Sequence, residues 1–179
     1  MLNSVLGALS ADMAIDIGSS TTRIFTIGHG VVCREASLVA IHEDREGRRR
    51  ILAVGDQTEA MIGRTPPDVQ VLRPIEHGSV VDFEVAEAML RLLMTRVQGR
   101  RLWVGPRVCI AVLYGTPEEE LMALRQTAGA SGAREVILVE QPLAAAIGCG
   151  LPVHEACGQM IVDVGGGCAS LSVLSLGGI

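Results

Sequence analysis

The sequence contains no lysine: all 15 of its basic residues are arginine. A Walker-type phosphate loop, a Schiff-base enzyme and any other chemistry that needs a lysine amine are therefore excluded. Aromatic residues are scarce as well, with two Phe, one Tyr and one Trp, which leaves no stacking platform for bases. The formal charge of −5 argues further against a nucleic-acid partner. The five cysteines (33, 109, 149, 157 and 168) form no C-x-x-C pair, and His29, His42, His77 and His154 show no metal-ligand spacing. Such a set fits reduced thiols in the cytoplasm, most of them packed as small apolar side chains. No apolar run approaches the ~18–20 residues that span a bilayer. The N-terminus lacks the basic and continuous apolar regions of a secretory signal.

What is present is a chain of 179 residues, 49% apolar and 20% charged, the balance of one globular domain or one and a half. Leu2, Val5, Leu6 and Leu9 share one face of a short helix within residues 1–11. Three apolar-rich runs follow, Met13–Ser19, Thr22–Gly28 and Gly30–Ile41, and predict a meander of three strands. Arg48-Arg49-Arg50 reads as a solvated hairpin tip, Ile51–Val54 as a short strand, and Asp56 as the cap of a helix reaching about Ile62. Glu84–Val97 is a helix with Val85, Met89, Leu93 and Val97 in one stripe and Ala86, Leu90 and Leu92 beside it. Arg107–Leu113 is a buried strand, and Thr116-Pro117-Glu118-Glu119 starts a helix with Thr116 as its hydroxyl cap. A strand at Glu135–Val139, a helix from Pro142 and a last hairpin of Met160–Val164 with Leu171–Leu176 complete an α/β pattern. A meander followed by strands alternating with helices predicts a mixed sheet flanked by helices.

One pattern occurs twice. Asp16-Ile17-Gly18-Ser19-Ser20-Thr21 is a strand end followed by a small, hydroxyl-rich turn, and Asp163-Val164-Gly165-Gly166-Gly167 repeats it one domain's length later. Turns of Gly and Ser between strands let backbone N–H groups converge on an anion with no Cβ in the way. An Asp at the end of each preceding strand suits a magnesium ion held through water. Either motif alone reads more readily as a tight glycine turn. As a facing pair they would clamp a nucleoside triphosphate.

The chain resembles the MreB family of bacterial actin homologues. DIGSSTTRIF, AVGDQTEAMIGRTP, LRPIEHGSVVDFEVAEAML, GAREVILVEQPLAAAIGCGLPV and MIVDVGGG stand in family order along nearly the whole sequence. The resemblance implies an actin-like (ribonuclease H-like) fold that binds ATP and magnesium between two domains. It also implies polymerisation into membrane-bound filaments that guide cell-wall synthesis and so set cell shape. Residues 12–159 would form the first domain, with a small inserted subdomain at about 42–80. Residues 160–179 would be the first hairpin of a second domain that is otherwise mostly absent, along with its adenosine loop.

By the same resemblance Asp16, Gly18, Ser19, Ser20 and Thr21 hold phosphate in the first loop, and Asp163, Gly165, Gly166 and Gly167 in the second. Asp16 and Asp163 would hold magnesium through water. Where the family has two threonines and a glutamate after the glycines, Cys168, Ala169 and Ser170 stand here, so hydroxyl contacts to phosphate are lost. The water-orienting Glu of the family corresponds to Gln141, after Glu140. Glutamine holds a water but is no base, which slows hydrolysis without excluding it; combined with the missing second domain, it implies little or no independent turnover.

Family members touch the membrane through an N-terminal amphipathic segment or a short apolar loop. Leu2, Val5, Leu6 and Leu9 match the first, and Leu102-Trp103, after Arg100-Arg101, matches the second. A peripheral position on the inner face of the cytoplasmic membrane is the expectation. Ile161, Val162, Val164, Leu171, Val173 and Leu176 make the terminal hairpin apolar on both faces, so it should seek a partner, either full-length MreB or a second copy. Three readings remain open: a shortened MreB-like protein that docks onto filaments or membrane, an inactive fragment, and half of an ATPase completed by a second chain.

Overall fold

The computed structural model describes residues 12–98 and 105–179. The expected helix of Leu2, Val5, Leu6 and Leu9 and the Leu102-Trp103 loop lie outside the described residues. The first three strands are β1 (Met13–Ile17), β2 (Thr21–Thr26) and β3 (Gly30–Ala36), paired antiparallel in order. The expected meander is thus present. Its third run does not continue to Ile41, however. The chain turns at Ser37 and Leu38, where the Ser37 N–H donates to the Ser20 carbonyl (2.9 Å), and β4 (Val39–Glu43) enters a different sheet. Ser37 is fully buried, so its polar groups must find partners inside, and they find them on the first turn rather than in a longer ladder.

The second sheet has β4 at its centre, flanked by β5 (Arg49–Val54) and β6 (Val69–Leu72), both antiparallel to it. Between these, α1 (Asp56–Glu59) is a single turn. Asp56 is not its cap. Gly55 takes that place at φ 84°, and a Cβ there would collide with the Glu35 carboxylate. Asp56 instead accepts the Ala36 N–H at 2.8 Å, and its own N–H donates to Glu35 at 2.8 Å. The hairpin tip holds Arg48 against Asp44 and Glu46, whereas Arg49 reaches Asp82 at 2.8 Å and so ties this sheet to the next helix. A short hairpin of β7 (Ile75–Glu76) and β8 (Ser79–Val80) follows.

The helix α2 (Phe83–Gln98) buries Val85, Ala86, Met89, Leu90, Leu93 and Met94. Its buried arc centres between Ala86 and Leu93, which exposes Leu92 and draws in Met94, against the sequence expectation. Next come β9 (Arg107–Val112), α3 (Glu118–Ala130), β10 (Glu135–Glu140) and α4 (Gln141–Gly148). Pro117, not Thr116, is the N-cap of α3, and the Thr116 hydroxyl turns back to donate to the Leu113 carbonyl at 2.7 Å. The main sheet has the order β10-β9-β1-β2-β3, with β9 and β10 parallel to β1. Met13, Ile15, Ile17 and Ile24 point from it into the core formed by α2, α3 and the inner side of the small sheet. Among the described residues the strand β11 (Gln159–Val164) pairs only with β12 (Ala169–Leu174). That hairpin buries Leu174 and part-buries Ile161 against Ala146 and Val153.

Asp12 anchors the start of β1. Its carboxylate accepts from Arg107 Nε at 3.1 Å and from Nη2, and that hydrogen bond holds the Asp12 carboxyl below the usual carboxylate range. A lowered carboxylate contributes stability above its unfolded value, and the contribution fades as pH falls through the lowered one. The Asp12–Arg107 pair should therefore support the β1–β9 junction at neutral pH and lose that contribution only below the usual carboxylate range. Among the described residues no helix is long and apolar enough to cross a membrane.

Candidate functional site

The strands β1 and β2 end in a turn that closes with the Gly18 N–H donating to the Thr21 carbonyl at 3.2 Å. The strands β11 and β12 end in its counterpart, where the Gly165 N–H donates to the Cys168 carbonyl at 2.9 Å. A Cβ on Gly18 would stand 2.8 Å from the Thr21 oxygen, so the turn requires glycine there on steric grounds alone. Between these bonds lie Ser19-Ser20 and Gly166-Gly167. Among the described residues, none accepts a hydrogen bond from the N–H groups of these four. Free amide hydrogens at two facing turns are donors without acceptors, the condition under which an anion binds.

The two turns touch. A Cβ on Gly166 would run into the Ser20 side chain, and one on Gly167 would stand 2.8 Å from the Ser19 Cβ and 3.3 Å from the His77 backbone nitrogen. Gly166 and Gly167 are thus glycines because of this close approach. Beside the contact opens a cavity of about 350 Å³, with both turns, Asp16, Asp163 and Gln141 in its wall. The space lies within the usual range for small-ligand sites. Every sequence-predicted phosphate residue, from Asp16 through Thr21 and from Asp163 through Gly167, is in that wall or that turn contact.

The two carboxylates are already engaged. The Gln141 amide, at the first position of α4, donates through Nε2 to Asp163 Oδ2 at 2.6 Å. Asp16 Oδ2 pairs with Arg23 Nη1 at 2.7 Å. A guanidinium at that distance opposes a divalent cation on the same carboxylate. The Asp16 carboxylate, so paired, therefore does not suit the magnesium expected there. Glu140, the last residue of β10, is exposed and outside the cavity wall, so of the expected pair only Gln141 faces the site.

Three residues in or beside the site were missed. Arg23 lines the cavity, and its signal was in the spacing: a hairpin pairing Ile17 with Thr22 also pairs Asp16 with Arg23. Arg73 donates to the Ser19 carbonyl at 3.1 Å from an adjoining cavity of about 360 Å³, which His77 also lines. His77 and Gly78 both take positive φ, 51° and 87°, at the tip of the β7–β8 hairpin. No sequence signal marked either Arg73 or His77. Behind the first turn, the Ser37 hydroxyl donates to the Gly18 carbonyl at 2.6 Å and accepts from the Thr22 hydroxyl at 2.9 Å. Of the cysteines, Cys33 and Cys109 are half-buried, and burial pushes both thiols up, whereas Cys149, Cys157 and Cys168, the last beside the second turn, are exposed, against the expectation that most are packed.

A family profile described as MreB/Mbl protein matches residues 10–179. The cell shape-determining protein MreB of Escherichia coli K12 is 43% identical over 181 aligned residues, which cover 100% of this chain and 52% of that protein. The crystal structure of MreB5 of Spiroplasma citri bound to AMPPNP superposes with a TM-score of 0.83 at 30% identity, over 94% of this chain and 50% of that one. The MamK double helical filament, at 18% identity and a TM-score of 0.73, shares the fold. The chain spans about half the length of the relatives it matches.

Proposed function

The chain belongs to the MreB/Mbl family, and from that premise we propose that its paired turns grip the phosphates of a nucleoside triphosphate within a cell-shape cytoskeleton. Its fold is the actin-like mixed α/β fold of that family. The observation that carries the proposal is the contact of Gly166 and Gly167 with Ser20 and Ser19, which brings two sets of unpaired N–H groups to one cavity. The AMPPNP carried by the Spiroplasma citri MreB5 supports the ligand class. Calorimetric titration of the full chain with AMPPNP tests it: heat that saturates with one ligand per chain is expected, and no heat overturns the reading.

Turnover, in this reading, is slow. Gln141 is held by Asp163, and an amide positions a water without taking its proton at neutral pH. The magnesium expected at Asp16 is not part of the reading, since the Arg23 guanidinium already holds that carboxylate.

The same hairpin supports a role in assembly. Met160, Val162 and Val164 on β11 and Leu171 and Val173 on β12 are all more than half exposed and share one face through the pairs Met160–Val173 and Val162–Leu171. Such a face seeks a cover, and a second copy or an MreB chain fits its chemistry. Val162→Glu should lower the sedimentation coefficient at high concentration toward that of the monomer. An unchanged profile of self-association in this variant overturns the assembly role. Membrane contact through residues 1–11 and Leu102-Trp103 belongs to the same proposal, and pelleting with anionic vesicles reads it: equal pelleting of Trp103→Ala and the parent overturns it.

A further inference from the structure

We infer that Arg23 supplies the positive charge that balances a bound triphosphate, so that this chain binds its ligand without a divalent cation. The inference rests on the triphosphate reading of the same cavity. Arg23 lies opposite Asp16 in the β1–β2 register, one pair below the Ile17–Thr22 pair that precedes the turn. Strand geometry puts the two side chains on one face of the sheet, and that face lines the cavity beside Gly165, Gly166 and Gly167.

A guanidinium has five N–H donors in a fixed fork. One Nη1 hydrogen bond to Asp16 leaves the others for an anion, and a planar fork suits phosphate oxygens in pairs. Asp16 then acts as the orienting partner of Arg23 rather than as a holder of metal.

The second turn shows what the first would look like without the arginine. Asp163 is paired across its hairpin with Ser170, which brings no charge, and its carboxylate is met by the neutral Gln141 amide. The cationic side chains at this contact therefore come from the first domain's strands and loops: Arg23 in the main cavity and Arg73 beside Ser19 in the adjoining one. In a chain without lysine, arginine is the one side chain with a permanent charge for this task.

The test titrates the full chain with inorganic triphosphate and with AMPPNP, once in magnesium and once in EDTA. The parent should bind with affinities within ~3-fold of each other in the two conditions. Arg23→Gln should lose ~10- to 100-fold in EDTA, the loss expected of charge-assisted hydrogen bonds, and should recover affinity on adding magnesium, because Asp16 is freed. Arg23→Lys should retain part of the EDTA binding. Arg23 is half exposed, so a melting curve close to the parent's is expected and separates binding from folding. Binding by the parent only in magnesium, or an Arg23→Gln variant indistinguishable from it in EDTA, overturns the role of Arg23 and leaves the triphosphate reading standing. No binding by the parent in either condition overturns both.

Discussion

Gly167→Val is expected to reduce AMPPNP affinity at least ~100-fold while the protein stays folded, a loss of about 2.8 kcal/mol. Gly167 has no left-handed φ that would make a side chain strained by itself, so the effect is one of space. Its Cα faces Ser19 so closely that a Cβ would stand 2.8 Å from the serine Cβ and 3.3 Å from the His77 nitrogen. Neither neighbour yields by rotating: one is the first side-chain carbon of a turn residue, and the other is backbone. The branched side chain must push the two turns apart. Amide hydrogens that converge on one anion then no longer do so, and each charge-assisted bond lost is worth about 1.5–3 kcal/mol.

Folding should survive, because the hairpin is held from its other side by Leu174, Ile161 and α4, away from the turn. Gly148→Ala is the matching control. Nothing lies within 4 Å of a Cβ at that position, and alanine there should bind as the parent does. A Gly167→Val variant that is folded and binds AMPPNP with parental affinity would remove the turn contact from the site.

How much of this was legible in the sequence depends on whether the signal was local. The turns were legible because their glycines and serines sit in unbroken runs, and the strand before the first is cleanly periodic: Met13, Ile15 and Ile17 alternate inward. The α2 stripe was legible in period but displaced in phase, since the arc a helix buries is set by what covers it, and both α3 and the small sheet lean on this one. Ser37 and Asp56 misled for a common reason. Each is a residue whose ordinary local role, strand interior or helix cap, gave way to a long-range hydrogen bond, to Gly18 in one case and Ala36 in the other. Arg73 is brought to Ser19 by tertiary packing across 54 positions, and no local pattern encodes that. Arg23 was a different kind of miss, since counting outward from the turn pairs it with Asp16 without any structure.

Ser37 also carries the second large effect. Its hydroxyl and N–H hold the first turn from beneath, the one on the Gly18 carbonyl at 2.6 Å and the other on the Ser20 carbonyl at 2.9 Å. The Thr22 hydroxyl completes the set, and both side chains are fully buried. Ser37→Ala leaves the Thr22 hydroxyl without its acceptor and the Gly18 carbonyl without its side-chain donor, away from water. Each orphaned group costs about 1–3 kcal/mol, so a destabilisation of about 2–6 kcal/mol is expected, read as a drop of at least roughly 4–8 °C in Tm for a chain of this size. AMPPNP affinity should fall as well, by about tenfold, because the Gly18 end of the turn is no longer tethered. Adding Thr22→Val to Ser37→Ala should cost less than the two single changes summed, since the second substitution removes a hydroxyl that the first had orphaned. A Ser37→Ala protein that melts with the parent, or a double variant whose losses simply add, would mean that the turn stands without this support. The phosphate grip would then owe its shape to the glycines alone.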